Sequence, residues 1–510
     1  MLQIKGLTVT HKKDLKVIIK DFSFVLNEGE KAVLIGEEGN GKSTILKLIC
    51  REEETDYVSY EGEINRGGMK LGYLPQELSA EDAEKTVYDY LAEEGQLFLL
   101  TPKELSRLSG RLGVSGELFY SDQKMGTLSG GEKVKIQLAR LLMEQPDVFF
   151  LDEPSNDLDL DAIAWLEQFI QELKCPVMYI SHDEMLIEHT ANVIIHFEQL
   201  RKKTVPVYTV ARMSYRKYCL DREQRFAHQM QIARKERCDH QKQMERYQQI
   251  YNKVEHQQNA ISRQNPSGGR LLKKKMHSIK SMGRRFEREK EQMTEIPEKE
   301  EAIEIAFDRK ISIPNGKTVI DFVLPHLQVG ERILANDVKL RIDGSEKVVI
   351  VGRNGVGKST LLKRIWEHLQ KRTDLKVSYM PQKYEELLED GKTPVEFLSR
   401  SGDKEEQTRI RSWLGSMKYT REEMEHQTSE LSGGQKAKLL FMKMNLDGSE
   451  VLILDEPTRN ISPLSGPVVR NALKTFGGAI ISISHDRKYI REVCDTVYEL
   501  TEEGLSKTCL

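Results

Sequence analysis

A chain of 510 residues is too long for one hydrophobic core and implies two to four domains. With 38% hydrophobic and 31% charged residues, a formal charge of -3 and no apolar run long enough to span a bilayer, it is expected to be soluble. Six cysteines (Cys50, Cys175, Cys219, Cys238, Cys494, Cys509) form no CxxC pair, which argues against zinc, iron–sulfur clusters and a disulfide framework, and the start MLQIKGLTVT lacks the layout of a secretion signal, so a cytoplasmic location is expected.

From the N-terminus, the first strong pattern is KAVLI at 31 to 35, a short β-branched run. It ends in the glycine-rich GEEGNGKST at 36 to 44 and continues into the apolar helix pattern TILKLI. A G-x-x-x-x-G-K-[ST] turn between strand and helix sets backbone N–H groups, free of Cβ hindrance, around a phosphate at a helix N-terminus. Gly36, Gly39, Asn40, Gly41, Lys42, Ser43 and Thr44 are therefore candidate ATP-binding residues, with Lys42 on the β- and γ-phosphates and the Ser43 hydroxyl on Mg2+. YLPQ follows, ending at Gln76. In LSGGEK at 128 to 133, Ser129, Gly130 and Gly131 open a predicted helix whose hydroxyl and N–H groups suit a γ-phosphate. DVFFLD is a near-continuous apolar run of the kind expected of a parallel strand buried on both faces. It delivers Asp152 as an expected Mg2+ ligand and Glu153 as the group placed to polarise an attacking water. A structural helix cap is the competing account of such a carboxylate. YISHD closes the series with His182.

The middle of the chain breaks the pattern. Residues 211 to 290 hold 21 Lys+Arg against 8 Asp+Glu, and 246 to 286 hold ten basic residues with Glu255 the only acid. Charge concentrated in this way is the footprint of a polyanion site. Met230, Ala233, Met244, Tyr247, Tyr251 and Val254 form one apolar seam at helical period; Leu272, Ile279, Phe286 and Met293 form another at strict sevens. Separated by NPSGG, Asn265 to Gly269, the seams predict a long antiparallel helical hairpin of coiled-coil type, with a tip loop near 257–270. At about 1.5 Å per residue, a first helix of some forty residues would extend roughly 60 Å. Folded RNA fits the tip better than a membrane surface, because exposed Trp, Phe or Leu are scarce there. The candidate RNA-binding residues are Arg246, Lys253, Arg263, Gln264, Asn265, Arg270, Lys273, Lys274, Lys275, Lys280, Arg284 and Arg285. A merely solvated linker is the competing account.

After residue 300 the first series returns. KVVIV at 347 to 351 leads into GRNGVGKST, with Gly352, Asn354, Gly355, Val356, Gly357, Lys358, Ser359 and Thr360 as ATP-binding candidates. YMPQ ends at Gln382, LSGGQK contains Ser432, Gly433 and Gly434, LILDEPT contains Asp455 and Glu456, and SISHD contains His485. Ser129, Glu153 and His182 precede Ser432, Glu456 and His485 by the same 303 residues. Two copies of one α/β domain with a mainly parallel sheet are expected at 1–205 and 301–510, joined by a segment at 206–300 that belongs to neither.

A P-loop, a glutamine loop, LSGG[EQ], LDEP and SHD, in that order and twice over, resemble the ATP-binding cassette (ABC) nucleotide-binding domain. The resemblance implies two tandem P-loop ATPase domains paired head to tail, with two ATPs and Mg2+ between them. Lys42, Gln76, Asp152, Glu153 and His182 would then face Ser432, while Lys358, Gln382, Asp455, Glu456 and His485 would face Ser129. It further implies Gln76 and Gln382 at the metal and His182 and His485 in catalysis. One departure is plain: SNDLDL after the first LDEP becomes TRNISPLS after the second, so Ile461 and Ser462 replace Leu-Asp, and unequal hydrolysis at the two sites is expected. No residue stacking on adenine is assigned beyond His11 as a candidate.

Tandem cassettes on one chain with a basic helical linker resemble the F subfamily of ABC proteins, the ribosome-binding translation ATPases. That implies a monomer whose partners are large-subunit rRNA, the P-site tRNA and the tRNA exit-site region, with no membrane or DNA partner. The long linker and TRNISPLSGP resemble the antibiotic-resistance branch, in which the linker reaches toward the peptidyl-transferase centre and displaces drugs, with hydrolysis as the reset. The Gln76-to-Ser129 spacing leaves no room for a large arm, and the short stretch after His485 implies a minimal C-terminal extension. A housekeeping translation factor, the tandem ATPase of a membrane importer and a chromosome-structuring ATPase are the alternatives.

Overall fold

The computed structural model describes every residue except 52–54, 94, 261–265, 298–306, 308–310, 389–390 and 509–510. The two apolar runs that carry the LDEP motifs are central strands. In the first cassette the six-stranded order is Leu71–Leu74, Val148–Asp152, Val177–Ile180, Lys31–Ile35, Val193–Gln199, Val205–Ala211. In the second it is Val377–Met380, Val451–Asp455, Ala479–Ile483, Lys347–Val351, Thr496–Thr501, Gly504–Thr508. All neighbours are parallel except the last pair of each sheet. Every residue of Val148–Asp152 and Val451–Asp455 is buried, which is why these strands show no hydrophobic alternation. The strand Val205–Ala211 pairs antiparallel with Val193–Gln199, so these residues belong to the first sheet and not to a linker beginning at 206.

Each cassette also carries antiparallel strands that the motif series does not mark. Val17–Leu26, Leu2–His11 and Val58–Asn65 form a three-stranded sheet; Thr318–Val329 pairs with Arg332–Asp343. Their half-buried alternation, as in Leu2–His11, lays apolar side chains such as Ile4, Leu7 and Val9 on the same core as the first P-loop helix, Lys42–Cys50. By compactness the chain divides into two units. One holds Met1–Tyr215 with Glu300–Leu510, and the other holds Arg216–Lys299.

In the second unit the helices Tyr215–Ala260 and Pro266–Glu291 run antiparallel, since His240 meets the Phe286 carbonyl and Glu236 accepts the Thr294 N–H at 2.7 Å. The expected seams pack together: Val254 and Ile279 are buried, with Tyr247, Tyr251 and Leu272 against them. Met276, between the strict sevens, joins them and was not anticipated. Of the expected tip loop 257–270, residues 261–265 lie outside the described residues, and the flanking 257–260 and 266–270 are helical. Pro266–Gly269 already form the first turn of the second helix, where a proline loses no hydrogen bond because its N–H would have no partner. Gly283 leaves room for the Tyr247 ring, whose hydroxyl lies 2.7 Å from where a Cβ would stand, and that ring meets Phe286 edge-on at 6.1 Å. Phe286→Ala should therefore destabilise the hairpin by about 3 kcal/mol. The check is faster amide hydrogen exchange across 240–254 in the variant; unchanged exchange would show that this seam does not hold the helices together.

Candidate functional site

Both phosphate loops are shaped by glycine. Gly36 and Gly352 adopt φ of 144° and 145°, and a Cβ on them would lie 2.2 Å from the Phe197 carbonyl and 2.6 Å from the Leu500 carbonyl. Gly41 and Gly357, in the left-handed region, cap the helices Lys42–Cys50 and Lys358–Leu369. Lys42 donates to the carbonyls of Gly36 and Glu37, each at 2.9 Å; Lys358 donates to those of Gly352 and Arg353 at 2.7 and 2.9 Å. Each ammonium is thus folded over its own loop. Some side chains have other duties: Asn40 ties the loop to the Phe197 carbonyl at 3.0 Å, Thr44 meets the Tyr57 hydroxyl at 3.3 Å, and Val356 packs on the core, so these can offer a ligand chiefly their backbone. His11 lies tilted beside Tyr57, with ring centroids 6.4 Å apart.

Behind each loop stands a buried carboxylate. Asp152 accepts from Ser43 at 3.0 Å and from Tyr73 at 3.4 Å. Burial, with the charge of Glu153 added, pushes it up to about 6 against these hydrogen bonds, and burial likewise raises Asp455, which the Ser359 hydroxyl partly offsets. A hydroxyl and a carboxylate short of positive charge form an oxygen-donor pair suited to a hard divalent cation that keeps waters and shares substrate phosphate. Among the described residues no group of three or more His, Cys, Asp or Glu is set to hold a metal alone, so such a cation would need the phosphates as co-ligands. Gln76 lies 3.4 Å from Glu153, while Gln382 lines the cleft of the second P-loop.

Glu153 and Glu456 both take left-handed backbone, φ 49° and 52°, immediately after their strands. Non-glycine residues held there are strained, and such strain gathers at sites that need one fixed geometry. Their electrostatics diverge. Burial would raise Glu153, but His182 at 3.2 Å, Asn156 and Lys42 outweigh it and hold it down at about 2. Burial and then the Asp455 charge push Glu456 up to about 8, against the His485 N–H, Lys358 and Arg459. Both carboxylates are 14% exposed, so surface accessibility does not separate them. The histidines do. His485 stands 3.6 Å from Glu456, is itself pushed down to about 4 by burial and Lys358, and its Nδ1 finds no hydrogen-bond partner among the described residues. His182 Nδ1 instead meets the Ile461 carbonyl of the other cassette at 3.0 Å.

Residues of both copies meet in one cleft of about 720 Å³. Lys358, Ser359, Thr360, Gln382, Asp455, Glu456 and His485 line it with Ser129 and Gly130 of the first cassette. Asn354 donates to the carbonyl of Asp157 at 2.5 Å and its N–H to Asp159 at 3.4 Å. Gly130 and Gly434 admit the backbone of the neighbouring loops: Cβ atoms there would lie 2.2 Å from the Asp157 carbonyl and 2.8 Å from the Asn460 carbonyl. Ser129 and Ser432 cap their helices, and in the first the hydroxyl also donates to Glu132 at 2.7 Å. On the first P-loop, two residues absent from the candidate set contact the second cassette, where Glu38 accepts the Gly434 N–H at 2.8 Å and Glu37 accepts from Ser462 at 2.8 Å. The signal was present: two acids inside a phosphate loop.

In the linker unit Arg246, Lys253, Arg270, Lys273, Lys274, Lys275, Lys280, Arg284 and Arg285 are all exposed. Among the described residues only Arg285 of this set forms an ion pair, with Glu289 at 3.1 Å. Arg263, Gln264 and Asn265 lie outside the described residues.

The family model described as ABC transporter matches residues 19–156 and 335–459, taking in both phosphate loops and both LDEP segments. The chain is 25% identical to ABC transporter F family member 5 of Arabidopsis thaliana, over 96% of this chain and 73% of that protein. It is 27% identical to the energy-dependent translational throttle protein EttA of Escherichia coli strain K12, over 96% of this chain and 90% of that protein. In fold it is similar to the archaeal ribosome recycling factor aABCE1, solved with the ribosomal stalk protein aP1, at a TM-score of 0.57 and 17% identity across 99% of this chain and 90% of that one.

Proposed function

The chain belongs to the ABC transporter family and is an ATPase of it, and we propose that it works as an F-type member on the ribosome rather than on a membrane permease. One observation carries this reading: a helical hairpin with a row of exposed, mostly unpaired cations interrupts two cassettes on a single chain. Among the described residues no helix is long and apolar enough to cross a membrane. Each ATP binds between one P-loop and the LSGG helix of the other cassette. Lys42 and Lys358 exchange loop carbonyls for β- and γ-phosphate oxygens, and Glu153 and Glu456 orient and deprotonate the attacking water, with His182 and His485 positioning them. Ser43 with Asp152 and Ser359 with Asp455 would hold Mg2+, which would supply positive charge against the phosphates. Gln76 and Gln382 complete these sites.

Cytoplasmic and monomeric, the protein enters the tRNA exit-site region in its ATP-closed form. The cations of the linker engage large-subunit rRNA and the P-site tRNA. The finer role is ribosome protection: the inserted linker favours a state of the peptidyl-transferase centre that binds inhibitors poorly, and hydrolysis releases it. Coupling of this kind is reciprocal, so a drug is expelled only if it binds that state worse, whether or not the tip touches it. The name of the relative EttA favours a second reading, a factor that regulates translation without drug displacement. A susceptibility panel of peptidyl-transferase inhibitors separates the two. Expression should raise the inhibitory concentration of at least one class, and replacing 257–270 by a glycine-serine turn should abolish the gain. No change across the panel would leave the translation-factor reading standing; resistance undiminished by the replacement would exclude insertion as the mechanism.

A further inference from the structure

The two phosphate loops differ where they face the opposite cassette. Glu37 and Glu38 occupy the positions of Arg353 and Asn354. The second loop offers donors: Asn354 gives hydrogen bonds to the Asp157 carbonyl and to Asp159. The first loop offers acceptors. Glu37 Oε1 accepts from the hydroxyls of Ser462 and Ser465 at 2.8 and 2.7 Å, its Oε2 faces the Lys438 ammonium at 3.2 Å, and Glu38 Oε2 accepts the Gly434 N–H at 2.8 Å. All four partners belong to the second cassette, and Ser462, Ser465 and Lys438 are buried. Burial would raise Glu37, but Lys438 and the two serines hold it ionised, at about 2.

This arrangement accounts for the departure at Ser462. An aspartate there, as at Asp159, would set a second carboxylate against buried Glu37, and like charges at that separation disfavour each other strongly. The acid has moved from one side of the interface to the other, and the serine replacement answers the acidic loop. Gly434 lies in the first turn of the helix Gly433–Asp447, whose N–H groups have no acceptor within the helix and are those a γ-phosphate on Lys42 would need.

We propose that Glu37 and Glu38 form an acidic latch that ties this edge of the cassette pair together and competes with the γ-phosphate for the second cassette's donors, so that the first site takes ATP more weakly than the second. Binding of ATP there requires the two carboxylates to swing away from Ser462, Ser465, Lys438 and Gly434. The latch rests on ATP binding by both cassettes and not on the ribosomal role, and its test needs no ribosomes.

With Lys358→Ala present to silence the second site, a fluorescent ATP analogue is titrated onto the full chain with and without Glu37→Gln plus Glu38→Gln. Loss of charge-assisted bonds to competing donors should tighten binding at the first site by about tenfold. Without nucleotide, hydrogen exchange across 460–466 should accelerate in the same variant. Ser462→Asp should also accelerate that exchange, and Glu37→Gln should largely reverse the effect. Equal or weaker analogue binding overturns the latch, as does a Ser462→Asp effect indifferent to residue 37. If the double variant fails to fold, Glu38→Gln alone carries the comparison. Failure of the unaltered chain to bind the analogue would overturn the ATP-site reading and the latch with it.

Discussion

Glu153→Gln combined with Glu456→Gln is expected to slow ATP turnover by about 10²–10⁴-fold while leaving nucleotide binding intact. Glutamine keeps the shape of the side chain and, at the first site, can still hydrogen-bond His182 and Asn156, which lie against the Glu153 carboxylate. It loses the basicity that draws a proton from water. The left-handed backbone at both positions sets the Cα–Cβ direction for either residue, and glutamine matches glutamate in shape, so the change is chemical rather than conformational. A protein that closes on ATP and cannot hydrolyse it cannot reset. On the proposed function it accumulates on ribosomes, co-sediments with them and blocks protein synthesis in a cell-free system. Phosphate release and sedimentation in ATP measure the two halves separately. Normal turnover in the doubly altered protein would remove the glutamates from the chemistry, and slow turnover with free migration would remove the ribosome as the target.

Ribosome association is expected to fall by about a thousandfold between about 50 mM and 200 mM salt, if six or more linker cations meet phosphates. Each such contact releases condensed counterions, so the slope of log affinity against log salt reads the number of contacts. Lys273→Glu, Lys274→Glu and Lys275→Glu together should flatten that slope by about two to three units as well as weaken binding. All three lysines are exposed, and none is needed by the Val254–Met276–Ile279 core, so the hairpin itself should survive the exchange. A salt-independent affinity would mean that the concentrated charge is solvated surface and that the ribosome, if bound, is held elsewhere.

The cassette cores were legible because their strands are buried on both faces and carry near-continuous apolar runs, and because the same motif series occurs twice in the same order, so that each motif confirms its twin. The head-to-tail pairing entered through resemblance to a family, and a single cleft holding Ser129 beside Lys358 and Glu456 agrees with it. Less was legible where local signals compete. NPSGG reads as a turn from composition, yet its proline and glycines start a helix, because the first turn of a helix is where proline costs least. The antiparallel strands alternate by half-burial and carry no motif, so nothing in the series marked them. Glu37 and Glu38 were passed over because a phosphate loop is recognised by its glycines and lysine, while the acids between them acquire meaning only against a surface some 400 residues further along the chain.

That separation has a consequence during synthesis. The donors that receive Glu37 lie 401, 425 and 428 residues downstream. The first sheet is complete at Ala211, so at about 5–20 residues per second the first cassette can fold roughly 10–50 s before its counterpart surface exists. Throughout that interval its two acids face water, where ionised carboxylates are well solvated, whereas an apolar interface left open for so long would invite adhesion to other nascent chains. A charged seam between the twin halves therefore suits a protein that is made in two instalments.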